Sequence, residues 1–171
     1  RSVHMHDSGA VARILYTTWF SQSQLAVLRD CLGPAFPDSN NEDLDEIAAI
    51  LATFITAVHD IGKATPAFSS KVESLDAAMA SLSLKHGHID QIDQWQLPHG
   101  LAGEFALDNW LKNLGWDGPP RASYQTSRDA LGSIVGGHHG IPPGQDEVCR
   151  GKDTFIRDLM GDHAWTETRV E

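Results

Sequence analysis

The chain has 171 residues, enough for one domain that buries about two-thirds of its unfolded surface. Its hydrophobic fraction of 41% is that of an ordinary globule, no apolar run approaches the ~18 residues of a membrane span, and no signal-peptide pattern opens it, so a cytoplasmic protein with no membrane partner is expected. The formal charge of −10, from 13 basic and 23 acidic residues, argues against tight nucleic-acid binding by this chain alone, since phosphate-tracking surfaces are basic. Any basic groove would belong to another domain or a partner.

Strand signals are nearly absent and helical periodicity recurs, which predicts an all-α fold. After a possible N-cap at Asp7-Ser8, residues Ala10 to Leu32 carry Val11, Ile14, Leu15, Phe20, Leu25 and Leu28 as one bent helix or two, ending near Gly33-Pro34. Pro37 to Asn41 is a loop. Glu42 to His59 gives the clearest helix: Leu44, Ile47, Leu51, Phe54, Ile55 and Val58 recur at three- and four-residue steps on one face. Its acidic first turn suits the helix dipole, and His59 extends the inward stripe. Pro66 to Lys71 is a loop or short helix, Val72 to Leu84 a helix, and Lys85 to Gln96 a surface connection. Further helices are predicted over His99 to Leu114, Tyr124 to Val135 and Glu147 to Met160, with Asp162 to Glu171 starting another. No internal repeat or long linker divides the chain, and Cys31 and Cys149 form no disulfide or zinc-ribbon pattern. Of the five tryptophans, Trp19 and Trp110 fall within helical stretches and are expected in the core. Trp95 and Trp116, near loops, remain available to substrate or a partner domain.

The chemistry concentrates in His59-Asp60-Ile61-Gly62-Lys63, His99 after Pro98, and Gly137-His138-His139-Gly140. An imidazole offers one ring nitrogen to a cation, and a carboxylate can bridge two. Neighbouring helical residues point about 100° apart, so the His138-His139 doublet converges only if the backbone leaves the helix. Gly136, Gly137 and Gly140 would permit that. A lone histidine at a helix end is more often structural, and His6, His86, His88 and His163 take that reading. Three such motifs in one chain argue for a metal site.

His-Asp-x-Gly-Lys followed by a spaced histidine and a His-His doublet resembles the HD phosphohydrolase superfamily. More narrowly, His4-Met5-His6-Asp7-Ser8-Gly9-Ala10-Val11-Ala12 and the run from His59 to Phe68 are similar to the HD nuclease domain of the type I CRISPR-associated helicase–nuclease. The likeness spans residues 4 to about 143. It implies a compact HD-domain helical bundle with a central metal site, a single domain over residues 1–171. It also implies that His4, His59 and Asp60 hold one metal and Asp60, His99, His138 and His139 the second. Lys63 would meet a phosphate oxygen or a metal-bound water. An alternative register uses His6 with Asp7, a pair lacking the Gly-Lys. The family carries a further aspartate on a later helix, and the chain is expected to stop before it; Asp153, Asp158 and Asp162 are the remaining candidates, none in the expected context.

Mixed imidazole and carboxylate ligands favour one or two divalent transition ions (Mn, Fe, Co or Ni) over Mg²⁺, and zinc suits a site of lower coordination. Two cations ~3.5–4 Å apart would stabilise an in-line phosphodiester displacement. The resemblance implies a nuclease for single-stranded DNA, acting on the strand displaced by an RNA-guided surveillance complex. No G-x-x-x-x-G-K-[ST] loop occurs, so ATP is not expected to bind here and a helicase domain would lie in the same longer protein or a partner chain. Two other classes stay open: a phosphohydrolase of nucleotides, and a degenerate metal-binding interaction module.

Overall fold

The structure, a computed structural model, describes residues 2–81, 86–116, 127–150 and 159–161. Every regular element among them is helical: α1 (Ser2–Trp19), α2 (Gln22–Leu32), α3 (Asn41–Val58), α4 (Pro66–Ser69), α5 (Glu73–Ser81), α6 (Gln91–Gln96), α7 (His99–Asn113), α8 (Ser127–Gly136) and α9 (Gln145–Arg150). Two 3-10 turns, Gly33–Ala35 and Ile61–Ala64, join them. The chain divides into two compact units, Arg1–Ala57 and Val58–Glu171.

In the first unit, α1 starts well before the cap expected at Asp7-Ser8, because neither proline nor glycine interrupts Ser2 to His6. Tyr16, Ala48 and Ala49 form the buried cluster, with Leu25, Leu28, Leu32 and Ala52 packed against it. The buried face of α3 therefore runs through Leu44 and two alanines, while Leu51 is exposed. Alanines let α3 lie close to its neighbours, a signal that counting large apolar residues misses. Ser21 and Gln24 make a capping box for α2, and the Asn40 side chain accepts from the backbone N–H groups of Glu42 and Asp43 at the start of α3. The acidic first turns of α3 are also tied laterally. Arg29 grips Asp45 through two bonds of 2.8 and 2.5 Å, and Arg13 meets Glu46 at 2.5 Å. Arg29 holds the Asp45 carboxyl below its ordinary range.

Trp19 is 82% exposed, against the expectation that it packs in the core. It is the last residue of α1, past the stretch its neighbours cover. Trp110 is half-buried, and Trp95 and Trp116 are exposed. An 18-residue window within Asn41–Ala64 has a mean hydropathy of 1.4, enough by length and composition alone to cross a membrane. A core helix passes the same test, and Leu44, Ala48 and Ala49 are buried within the first unit.

In the second unit, Ala67, Leu97, Leu101, Ala102 and Leu159 form the core, flanked by Ile89, Phe105, Val148 and Met160. The expected surface connection from Lys85 contains α6, capped by Asp90, whose side chain accepts from the Asp93 N–H at 2.8 Å. Asp90-x-x-Asp93 is a capping-box signal that the polar composition obscured. Residues 82–85, 117–126, 151–158 and 162–171 lie outside the described residues, so the predicted ends near Leu84 and Tyr124, the last helix, His163, Trp165, Asp153, Asp158 and Asp162 do too.

α7 is the spine of this unit, with α8 and the Ile61–Ala64 turn packed on it. That turn approaches α7 by backbone: a Cβ on Gly62 would stand 1.9 Å from the His99 carbonyl oxygen and 2.5 Å from the Gly103 nitrogen. Gly62→Ala is therefore expected to lose about 3 kcal/mol of unfolding free energy or more. Gly87→Ala, at an exposed position with no atom beyond its chain neighbours within 4 Å of the added carbon, should be neutral or stabilising by up to about 1 kcal/mol. Urea denaturation of both variants checks the contrast; equal midpoints would contradict the close approach.

Candidate metal centre

α3 ends at Val58, and His59 and Asp60 occupy the turn that follows rather than prolonging the helix. Asp60 opens the 3-10 turn, its carbonyl accepting from the Lys63 N–H at 2.9 Å. Its side chain is 7% exposed. Lys63 Nζ donates to Asp60 Oδ2 at 2.7 Å, and His59 Nε2 lies 3.3 Å from the same oxygen. Toward the other oxygen, Oδ1, come His99 Nε2 and His138 Nε2, each at 3.5 Å.

Pro98, at φ −54° and ψ 143°, sets His99 as the first residue of α7. The doublet follows α8, in a turn, so the 100° divergence of helical neighbours no longer applies. Only Gly140 among the three flanking glycines has positive φ, +95°. Gly136 and Gly137 serve close packing instead of unusual backbone angles: a Cβ on Gly136 would fall 2.9 Å from Pro143 Cδ, and one on Gly137 3.0 Å from Pro142 Cγ. The Pro142-Pro143 segment thus folds back on the turn that carries the two histidines.

Ligand atoms of His99, His138 and His139 lie within 4.8 Å of one another. His139 Nε2 faces His99 Nε2 at 2.8 Å, and the His138 ring centroid is 4.1 Å from that of His139 and 5.3 Å from that of His59. Donor atoms around one cation, at bond lengths of about 2.0–2.2 Å, sit about 3–3.5 Å apart. The observed spacings fall near that range.

His138 carries the sharpest chemical information. Its Nδ1 lies 2.6 Å from the Val135 carbonyl oxygen, which can only accept, so Nδ1 bears the proton. In the neutral ring Nε2 then presents a lone pair. That atom is buried, has no hydrogen-bond partner among the described residues, and faces a carboxylate oxygen. Two acceptors opposed in a buried place need a positive charge between or beside them. A backbone carbonyl fixing the far nitrogen is the usual support for a metal-ligating imidazole.

His99 is suited to the same role. Burial, then the Lys63 ammonium, lowers its pKa from 6.5 to about 4, against the opposing pull of Asp60. It stays neutral at pH 7, the form that coordinates. Of the residues expected at the site, the structure brings His59, Asp60, Lys63, His99, His138 and His139 together. His4 lies on α1 in the first unit with an exposed side chain, and His6, also exposed, sits 3.6 Å from Asp7. His86 is tied to Asp76 at 2.6 Å and to the Gly87 carbonyl oxygen, a structural arrangement. The open groove lined by Phe20, Ser23, Gln24, Val27 and Leu28 contains no titratable group, so it is not the chemical centre.

The family model of the Cas3 HD domain matches residues 2–171. The chain belongs to the Cas3 HD domain family. It is 28% identical over 149 residues to the CRISPR-associated nuclease/helicase Cas3 of Streptococcus thermophilus, covering 81% of this chain and 14% of that protein. It is 29% identical over 125 residues to the CRISPR-associated endonuclease/helicase Cas3 of Thermus thermophilus, covering 73% and 12%. The domain therefore spans about one-seventh or less of these curated relatives. A crystal structure of a CRISPR-associated protein superposes with a TM-score of 0.71 at 26% identity, over 99% of this chain and 16% of the other.

One buried acid in this Cas3 HD domain escaped the sequence reading. Glu104, 7% exposed, lies between α7 and α8, the helices that lead from His99 and into the His138 turn. Its Oε2 is buried, has no hydrogen-bond partner among the described residues, and would stand 2.4 Å from a Cβ on Gly136. Burial, then the charges of Asp129 and Asp108, raises its pKa from 4.5 to about 7. The signal was present: it is the only charged residue between His99 and Leu107. Because the native pKa is raised, the folded state holds a proton that the unfolded chain releases, and stability falls as pH rises from about 4.5 to 7. His99 works in the opposite direction between about 4 and 6.5, so the wild-type profile is a sum. Glu104→Gln should remove the falling component, up to about 3 kcal/mol between pH 5 and 8, in urea titrations at each pH. Identical wild-type and variant profiles would contradict the buried, proton-holding carboxyl.

Proposed function

We propose that this domain is a metal-dependent nuclease that hydrolyses phosphodiester bonds of single-stranded DNA. The observation that carries it is the buried His138 Nε2, the lone-pair nitrogen of the tautomer that the Val135 carbonyl fixes through Nδ1–H, turned toward Asp60 Oδ1. His59 and His99 add imidazoles around the same carboxylate, and His139 meets His99 at 2.8 Å. The donor set of nitrogen with carboxylate oxygen fits Mn, Fe, Co or Ni better than Mg²⁺. His4 enters the proposal as a further ligand from the family pattern.

A divalent ion held there would supply Lewis-acid stabilisation of charge developing on the phosphoryl oxygens. The residues do the positioning. Asp60 gathers the imidazoles around one negative charge. Lys63 orients the Asp60 carboxylate through its 2.7 Å bond, and its ammonium would meet an incoming phosphate. Burial keeps His99 neutral, so it does not repel the ion.

The relatives are named nuclease/helicase and endonuclease/helicase, which supports DNA as substrate. Coverage of one-seventh or less leaves room for a helicase in the same longer protein or in a partner chain. An RNA-guided surveillance complex that displaces a DNA strand is the partner the family pattern implies. The charge of −10 favours a second reading, hydrolysis of a small nucleotide, because such a substrate needs no basic groove. Mn²⁺-loaded protein should cut circular single-stranded DNA and leave a panel of nucleotides unchanged. Asp60→Ala and His138→Ala should each lower the cutting rate at least about 100-fold and weaken metal binding in calorimetry about 10-fold or more. Nucleotide turnover without cutting would install the second reading; tight metal binding without either would leave an interaction module.

A further inference from the structure

We propose that Lys71, held over the ring of Phe68, is a subsite for a backbone phosphate of the single strand next to the histidine centre. The idea rests on the nuclease reading above and adds a positioning residue to it. Phe68 meets the His99 ring edge to face, with centroids 5.6 Å apart, which puts it against the centre. Two ammonium groups lie near that ring: Lys63 Nζ is 6.0 Å and Lys71 Nζ 5.4 Å from its centroid. Both distances are in the range where a cation is drawn to an aromatic face.

The two lysines differ in what else they touch. Lys63 is committed to Asp60. Lys71 is exposed and forms no ion pair among the described residues, although the chain has 23 acidic residues for 13 basic ones. Its placement is fixed by the backbone, not left to chance. The Lys71 N–H donates to the Phe68 carbonyl at 3.3 Å, so the two residues share one turn. Ser69, fully buried, donates to the Thr65 carbonyl, and Gln94 of α6 donates to Ser70 Oγ at 3.2 Å. A pinned turn therefore carries a cation to the rim of the imidazole cluster, where a strand with its scissile phosphate at Asp60 would bring a neighbouring phosphate.

Labelled oligo(dT) binding to the full chain in EDTA, followed by anisotropy at several salt concentrations, tests this without metal. Lys71→Ala should weaken binding about five-fold and flatten the log–log salt slope by about 0.7, the loss of one phosphate contact. Lys71→Arg should restore both, and Lys112→Ala, exposed at the end of α7, should change neither. With Mn²⁺, Lys71→Ala should raise KM for circular DNA with kcat unchanged, and should hydrolyse bis-p-nitrophenyl phosphate like wild type. Wild-type binding and KM in Lys71→Ala, with cutting intact, would overturn the subsite alone. Failure of the wild-type protein to bind the oligonucleotide would overturn the subsite, and failure of the Mn²⁺-loaded protein to cleave either substrate would remove the nuclease reading as well.

Discussion

A carboxylate buried as deeply as Asp60 must be matched by positive charge, and the second unit is organised around doing so. Lys63 meets one oxygen at 2.7 Å. The other oxygen faces two imidazole nitrogens at 3.5 Å, one of which is a lone pair fixed by the Val135 carbonyl. Lysine alone does not resolve an acceptor opposed to an acceptor. A cation does, and it would also explain why two further imidazoles crowd the same place.

The framework that permits this crowding is backbone packing. The turn after His59-Asp60 lies so close to α7 that Gly62 admits no side chain, and Gly136 lies against both Glu104 and Pro143. Side-chain-free contacts fix helix ends relative to one another more tightly than contacts between long flexible residues. Ligands borne on three separate segments can then meet with little residual freedom, which is what a metal centre requires.

Much of this was legible from residue types. The helical period of α3, the His-Asp turn ended by Gly62-Lys63, the proline before His99 and the glycine-flanked doublet each point to the places these residues take. What escaped reading depended on tertiary context. Nothing in Trp19 signals that its helix ends uncovered, and Ala48 and Ala49 outweigh larger residues only because α2 packs on them. The tautomer of His138 depends on a carbonyl three residues back, visible only once the turn is formed. The glycines at 136 and 137 looked like sources of backbone freedom and act as points of contact.

The most direct measurement is anomalous scattering from crystals of the chain grown with Mn²⁺, collected on both sides of the manganese edge. The account predicts a peak within coordination distance of Asp60 Oδ1 and His138 Nε2, with the Val135 carbonyl still holding His138 Nδ1. Full-occupancy manganese elsewhere, with His138 Nε2 satisfied by a protein donor or water, would contradict it.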